Sequence, residues 1–350
     1  MDETIFVLHE YGAPEHYIAL EALAQRYGMK VKYREFNYLS LLKCWMRAPA
    51  QIKVLQKLFV NLWFILSIPY IKHSKIVLGI APYNKLLVWI MHRLKRHSVY
   101  YHTSYSCWNG EYYAHKPLNV DTGRIWREFT NNYVKHIFTV SQKARCELID
   151  NNFAIPQRIS VVNHSYKELI SADKHKRNDL TFIYCGRIIP DKGIEQMLQF
   201  FSLHPRCSLT IIGRGEQESL VKEYALKYSN IYFEGYISGL QNIIPHYHKA
   251  SYVLLNSQRN AGWEELFGIT LIEGMACGCV PICTDHSGPL EIVTDHVNGI
   301  ICHEGEITKG IEEVLSFNQD DYDRYREAAI AEGRKYYYYS VAEKWMKLFE

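Results

Sequence analysis

Residues 265–284 read ELFGITLIEGMACGCVPICT. Apolar residues run from Phe267 to Gly278 at helical spacing, and Val280–Cys283 then reads as a short buried strand. A helix closing directly into a strand is one step of a β-α-β alternation, and the step repeats in both directions along the chain. Downstream of a polar stretch, strand-like runs occupy Leu180–Cys185, Leu209–Ile212, Ile231–Phe233 and Tyr252–Leu255. Upstream of it they occupy Thr4–His9, Ile76–Ile80, Ser98–His102, Ile137–Val140 and Ile159–Val162, with a helical pattern over His16–Tyr27. Alternation of this kind predicts an α/β fold of parallel sheets flanked by helices. The polar stretch, Ser171–Asp179 (SADKHKRND), reads as a linker between two such series. We therefore expect two doubly wound domains, 1–170 and 171–334, with a C-terminal helix over 335–350 rejoining the first. The 350 residues suit two domains of this size. In the tail, Tyr336–Tyr339 is a run of four tyrosines, read as packing at a domain seam, and Ser340 is placed to cap a helix over Val341–Phe349.

Composition excludes some classes. With 48% hydrophobic and 22% charged residues the chain is globular. Its nine cysteines are odd in number and scattered through apolar segments, unlike a disulfide framework. The opening MDETIFVLHEYG has no basic stretch followed by an apolar one, so no secretory signal is expected, and a cytoplasmic location follows. Cys277, Cys279 and Cys283 alternate with small apolar residues, which fits core packing better than zinc ligation. No metal site is expected.

Charge is uneven. Between Phe36 and Gly110 there is no Asp or Glu, but there are ten basic residues: Lys43, Arg47, Lys53, Lys57, Lys72, Lys75, Lys85, Arg93, Lys95 and Arg96. Trp45, Phe59, Trp63, Phe64 and Trp89 are interleaved with them. No nucleic-acid module accompanies the charge, so no nucleic-acid partner is expected. Basic and aromatic residues together favour an anionic membrane surface. The apolar run Leu58–Ile71 is shorter than the ~20 residues a spanning helix needs, so peripheral attachment on the inner face of the membrane is the expectation.

The chemistry concentrates in the opening stretch. Glu265 falls in the loop before the predicted helix and Glu273 about one and a half turns inside it. A helix N-terminus offers free backbone N–H groups and partial positive charge, a seat for a diphosphate, and Gly268 permits close approach. One carboxylate can accept sugar hydroxyls and the other ribose hydroxyls. Alone, the pair would also fit an ordinary amphipathic helix.

Other motifs stand in order around it. Cys185-Gly-Arg187-Ile-Ile-Pro-Asp-Lys192-Gly193 joins a strand to a turn with two cations; Ile211-Ile-Gly213-Arg-Gly215 and Phe233-Glu-Gly235-Tyr236-Ile237 end strands; Ser287-Gly-Pro-x-Glu291 and Asn298-Gly299 follow the helix. Together with Glu-x7-Glu, this series resembles the family-four retaining glycosyltransferases, whose members have the GT-B fold: two Rossmann-like domains facing a central cleft. The resemblance spans most of the chain and is densest from Thr181 to Cys302. It implies that Arg187 and Lys192 neutralise a donor diphosphate. It places Gly213, Tyr236 and Ile237 near the nucleobase, and Phe267, Gly268, Ile269 and Glu273 around the rest of the nucleotide. Glu265 would orient the donor sugar, and His102, at a strand end in Tyr-Tyr-His-Thr-Ser, resembles the family's active-site histidine. The family's Gly-Gly turn after its first strand appears here as Tyr11-Gly12-Ala13-Pro14-Glu15: Gly12 fits, and Ala13 replaces the second glycine.

What the resemblance implies is sugar transfer with retention from a UDP- or GDP-sugar to a glycan or lipid-linked acceptor in cell-surface polysaccharide synthesis. The leaving phosphate would assist front-side attack, with no cofactor and no metal. Competing readings are a catalytically inactive carbohydrate-binding subunit on the same fold, a sugar phosphorylase, and a dehydrogenase. The last needs GxGxxG after a strand, for which Gly213-Arg-Gly215 supplies only a lone GxG. The loop Asn256–Glu264 is expected to help choose the sugar.

Overall fold

The computed structural model describes residues 4–10, 13–35, 46, 52–84, 86–109, 120–172, 178–260 and 263–350. Gly12, Lys43, Trp45, Arg47 and Lys85, together with 173–177 of the polar stretch, lie outside the described residues. The chain divides into two compact units, Met1–His164 with Tyr338–Glu350, and Ser165–Tyr337.

The first unit carries β1 (Thr4–His9), β2 (Lys30–Glu35), β3 (Lys75–Gly79), β4 (Ser98–Thr103), β5 (Val134–Thr139) and β6 (Ile159–Val161). They form one parallel sheet in the order β2-β1-β3-β4-β5-β6. All six residues of β4 are buried, as expected for a parallel strand covered on both faces. The β2 strand was not legible, because KVKYRE alternates charge with apolar residues. That suits its place at the sheet edge, where charge blunts unwanted pairing. The flanking helices are α1 (Ile18–Arg26), α2 (Ile52–Ser67), α3 (Leu86–Leu94), α4 (Val120–Asn132) and α5 (Gln142–Asp150). Ser141 caps α5 by accepting the Ala144 N–H at 3.2 Å.

The second unit carries β7 (Thr181–Arg187), β8 (Ser208–Arg214), β9 (Ile231–Gly235), β10 (Tyr252–Leu255), β11 (Val280–Thr284) and β12 (Ile300–Cys302). Its parallel sheet runs β12-β11-β10-β7-β8-β9. Read from β9, that is the Rossmann order 3-2-1-4-5-6, which reverses direction between β7 and β10. The helices are α6 (Ile194–Leu203), α7 (Glu218–Lys227), α8 (Leu240–Lys249), α9 (Ile269–Ala276), α10 (Ile307–Val314) and α11 (Gln319–Gly333). The helix expected over 267–278 is thus α9, entered through Gly268 at φ 103°, a left-handed conformation that favours glycine. Asn318 opens α11 with a full capping box to Asp321. Cys277, Cys279 and Cys283 are fully buried in this unit, and the Cys279 thiol donates to the Tyr247 and Ala250 carbonyls.

The tail departs from a single helix over 335–350. It runs as a 3₁₀ turn (Arg334–Tyr336), then α12 (Tyr338–Ala342), then a 3₁₀ segment (Glu343–Leu348). Ser340 lies inside α12 and caps nothing, because the helix starts two residues earlier. The four tyrosines are shared out. Tyr336 packs on Phe267 and Tyr337 on Tyr166 in the second unit, while Tyr338 joins the core of the first. That core also takes Val341, Ala342, Trp345 and Leu348, against Val7, Tyr17, Leu20, Tyr100 and Phe138. The Trp345 ring lies 4.5 Å from Phe138 and 5.3 Å from His102. Replacing Trp345 with Ala should therefore destabilise the first unit by about 3–5 kcal/mol. Urea unfolding followed by circular dichroism checks this; an unmoved transition would refute the packing.

Candidate active site

In a doubly wound sheet the loops at the carboxyl ends of the strands on either side of the reversal run apart and leave a crevice. In the second unit these are the loops after β7 and β10, and they are stitched together. The Asn256 amide donates to the Gly193 carbonyl at 3.0 Å, the Gln258 N–H to the Asp191 carbonyl at 2.8 Å, and the Asn260 amide to the Asp191 carboxylate at 3.0 Å. Inside the stitches, the Lys192 ammonium pairs with the Glu265 carboxylate and donates to the Ser257 hydroxyl at 3.1 Å. The Ser257 hydroxyl in turn donates to the same Glu265 oxygen at 3.0 Å. Lys192 is 7% exposed, and burial pulls its pKa down, with Glu265 opposing that shift. Its ammonium also sits 4.4 Å from the centre of the Trp263 ring, while the Arg187 guanidinium is 5.9 Å from it and the Arg187 side chain is exposed.

Beside this cluster α9 begins. Gly268 is buried at its entry and Ile269 is half-buried; the Phe267 side chain packs on Tyr336, so Phe267 can offer a ligand only its backbone. Glu273 projects from the first turns of α9 and accepts the Tyr247 hydroxyl at 3.2 Å. Burial of its carboxyl lifts the Glu273 pKa to about 8. The two glutamates therefore differ in kind: Glu265 is ion-paired, and Glu273 sits in a site that favours its protonated form.

Gly213, Tyr236 and Ile237 line a cavity of about 770 Å³ together with Cys185, Gly186, Arg187, Ile189 and Ile243. At Gly213, φ is 151° and a Cβ would run into the Gly186 carbonyl, so only glycine lets β8 end this close to β7. The Arg214 guanidinium lies 4.3 Å over the Tyr236 ring at the rim. The cavity is mainly apolar, with Arg187, Arg214 and Glu218 among its lining residues, and suits a flat heterocycle.

The first unit has its own cavity, about 160 Å³, at the carboxyl ends of β1, β3 and β4. His102 lines it with His9, His16, His164 and Glu10. His102 is 6% exposed, and its Nδ1 is hydrogen-bonded to the Tyr17 hydroxyl at 3.1 Å. Burial, reinforced by His16 and His9, lowers its pKa to about 3, so the ring is neutral at physiological pH. The His16 and His164 rings lie 4.5 Å apart, tilted at 44°, and burial lowers the pKa of both. Ala13, which replaces a glycine of the expected turn, adopts φ 30°, and Pro14 opens the 3₁₀ turn Pro14–Tyr17. Of the residues singled out in sequence, Lys192, Glu265, Arg187, Gly213, Tyr236, Ile237, Phe267, Gly268, Ile269 and Glu273 lie in the second unit and His102 in the first. Ser257 and Trp263 fall in the loop Asn256–Glu264 expected to help choose the sugar but were not singled out within it; His9, His16 and His164 were missed, for no local pattern marks them.

Residues 166–336 match the family described as Glycosyl transferases group 1. The Escherichia coli O-antigen biosynthesis glycosyltransferase WbnH is 26% identical over 57% of this chain and 55% of its own. The Staphylococcus aureus capsular polysaccharide biosynthesis glycosyltransferase CapM is 24% identical over 57% and 56%. The chain spans about half the length of the curated relatives it matches. Among solved structures, Anabaena Alr3699/HepE in complex with UDP superposes with a TM-score of 0.66 at 16% identity, over 98% of both chains. The GT-B expectation therefore holds at the level of fold.

A raised carboxyl has a consequence for stability. Glu273 keeps its proton to about pH 8 folded but loses it near the ordinary value of 4.5 when unfolded. Between these values the unfolded chain binds fewer protons, so the contribution of this group is full below about pH 4.5 and is lost as pH rises through 8. The slope is on the order of 1 kcal/mol per pH unit. Measured from pH 7 to 9, above the range where the buried neutral histidines make stability rise with pH, melting temperatures should fall more steeply in the wild type than in Glu273→Gln. Parallel curves would contradict a buried carboxyl.

Proposed function

We propose, from the match of residues 166–336 to the family described as glycosyl transferases group 1, that the chain is a retaining hexosyltransferase. It takes a UDP- or GDP-sugar in the second unit and transfers the sugar to a glycan or lipid-linked acceptor offered to the first, in the synthesis of cell-surface polysaccharide. The observation that carries this reading is the buried Lys192–Ser257–Glu265 cluster at the sheet reversal, next to the α9 N-terminus and the nucleobase-sized cavity. WbnH and CapM act in O-antigen and capsular polysaccharide biosynthesis, and HepE was crystallised with UDP-glucose, which supports the donor and product classes.

Departure of a nucleoside diphosphate develops negative charge on the leaving oxygen. Arg187, Lys192 and the free amides at the start of α9 answer that charge from fixed positions, so little reorganisation is needed in the transition state. No metal is required for that task. Glu265 accepts hydroxyls of the donor sugar and fixes its orientation; Glu273 meets the ribose hydroxyls; Gly213, Tyr236 and Ile237 enclose the base. In the first unit, the neutral imidazoles around His102 can both donate and accept, which suits hydroxyl groups better than charges.

The test is a thermal-shift panel of UDP, GDP, ADP and CMP and their sugars, with and without EDTA, followed by turnover with the donor that binds. One nucleotide should raise the melting temperature regardless of EDTA. Glu265→Gln should keep that shift and lose about 10²–10³ in kcat. Near-normal turnover by Glu265→Gln would refute the assignment, and nucleotide binding without any turnover would favour the inactive-subunit reading.

The outward face of α2 supports a membrane partner. Ile52, Leu55, Phe59, Leu62, Trp63 and Leu66 are exposed along it, while Asn61 turns inward to accept the Glu35 N–H at 3.2 Å. An exposed apolar stripe in a segment without acidic residues fits the interface of an anionic bilayer, and a site of action on the inner leaflet. Among the described residues no helix is long and apolar enough to cross a membrane. In flotation assays the protein should rise with phosphatidylglycerol vesicles and be released by salt, and Phe59→Ser with Trp63→Ser should lower binding about tenfold or more. Binding indifferent to lipid charge and salt would overturn this.

A further inference from the structure

His286 follows β11 and is fully buried, yet both of its ring nitrogens are engaged on the loop that carries Glu265. Its Nδ1 accepts the Glu265 backbone N–H at 2.9 Å. A backbone N–H can only donate, so Nδ1 carries the lone pair and the proton sits on Nε2. That Nε2 lies 2.7 Å from the Ser257 carbonyl oxygen and 3.1 Å from the Glu304 carboxylate, two acceptors for its proton. Ser257 closes the ring, because its hydroxyl donates to the Glu265 carboxylate. The Glu265 carbonyl is also fixed, accepting the Gly288 N–H at 3.0 Å. One imidazole thus clasps the two ends of the loop 257–265 and sets the main chain from which Glu265 reaches Lys192.

We infer that His286, in its neutral Nε2–H form, is a positioning residue for sugar transfer: it sets the Glu265 carboxylate in the geometry the donor sugar requires. This rests on the glycosyltransferase reading above. Protonation would place a second hydrogen on Nδ1, directly against the Glu265 N–H, and the clasp would open. The surroundings oppose that. Burial disfavours the charged ring, and Arg259 does so too; Glu304 and Glu264 pull the other way, the Trp263 ring is 6.3 Å distant, and Asp285 is engaged by Arg259 and His303. The clasp is therefore closed at neutral pH and opens only on the acid side of the ordinary histidine value.

Three variants separate the two nitrogens. His286→Leu removes both contacts, His286→Asn keeps an acceptor near the Nδ1 position, and His286→Gln keeps a donor near Nε2. With the donor identified by thermal shift, His286→Leu should lose about 10²-fold in kcat at unchanged nucleotide affinity, the scale expected when a catalytic group is misplaced by about 1 Å. His286→Asn should recover most of that loss, and His286→Gln much less. The acid limb of the wild-type kcat profile should shift in His286→Asn, which has no proton to gain at that position. A folded His286→Leu variant with wild-type kcat overturns the inference, as do equal losses in all three variants that simply follow melting temperature. Should His286→Leu not fold, ¹⁵N imidazole spectra of the wild type decide the tautomer: a protonated Nδ1 at neutral pH overturns the clasp. Absence of turnover in the wild type overturns the transfer reading itself, whereas normal wild-type turnover beside a fully active His286→Leu overturns this inference alone.

Discussion

β7 and β10 lie side by side in the sheet, but the chain leaves them toward opposite edges. The loops that follow them cannot cover one another, and the backbone and side-chain polar groups at their roots must find partners in the gap. In this chain the partners come from across the gap: Asn256 to Gly193, Gln258 and Asn260 to Asp191, Ser257 and Glu265 to Lys192. The crevice is thereby lined with groups whose positions are over-determined by the sheet on both sides. Groups anchored at strand ends on both sides of a reversal hold their positions before a ligand arrives, which is what electrostatic preorganisation requires.

The two glutamates of α9 and its approach show how the same side chain is given two characters. Glu265 stands before the helix, where Lys192 and Ser257 stabilise its charge. Glu273 stands within the helix, where its carboxyl is enclosed; burial outweighs the hydrogen bond it accepts from the Tyr247 hydroxyl, so its proton is retained to about pH 8. An enclosed ion pair such as Lys192–Glu265 carries a desolvation cost that its own attraction offsets only in part. Its value in this place is readiness: both charges are already stripped of bulk water, which in the proposed transfer reaction leaves the ammonium prepared for a diphosphate and the carboxylate for sugar hydroxyls.

The fold was legible where burial is two-sided. Runs such as FIYC in β7 and YVLL in β10 read as strands because no face of a covered parallel sheet tolerates charge. Of the four edge strands, β6 and β9 were read and two escaped: KVKYRE in β2 carries four charged residues, and β12 is only three residues long. Lys192, Glu265 and Glu273 could be picked out in sequence because they stand in ordered motifs. Ser257, Trp263 and His286 could not. Ser257 is an ordinary serine in a polar loop, and what distinguishes His286 is that the chain brings Glu265, Ser257 and Glu304 to its ring from three separate segments. Such roles are tertiary facts with no periodic or compositional trace. The tail shows a similar limit: a helical pattern and a serine at a plausible cap were both present, but packing of Tyr338, Val341 and Trp345 into the first unit decided where the helix begins.

That packing also governs when the first unit can be complete. Tyr17, Phe138 and His102 lie in or against a core that Trp345 fills, and Trp345 is separated from them by the whole of the second unit in sequence. Contacts of such long sequence separation are late and entropically costly to form. Until the last residues of the chain are in place, one side of the β4 sheet face remains open to water, and the burial that keeps His102 neutral and fixed against Tyr17 is unfinished. The first unit therefore cannot be obtained whole by ending the chain at His164. The histidine-lined cavity is a product of both ends of the sequence, as the Lys192–Glu265 crevice is a product of both sides of a sheet reversal.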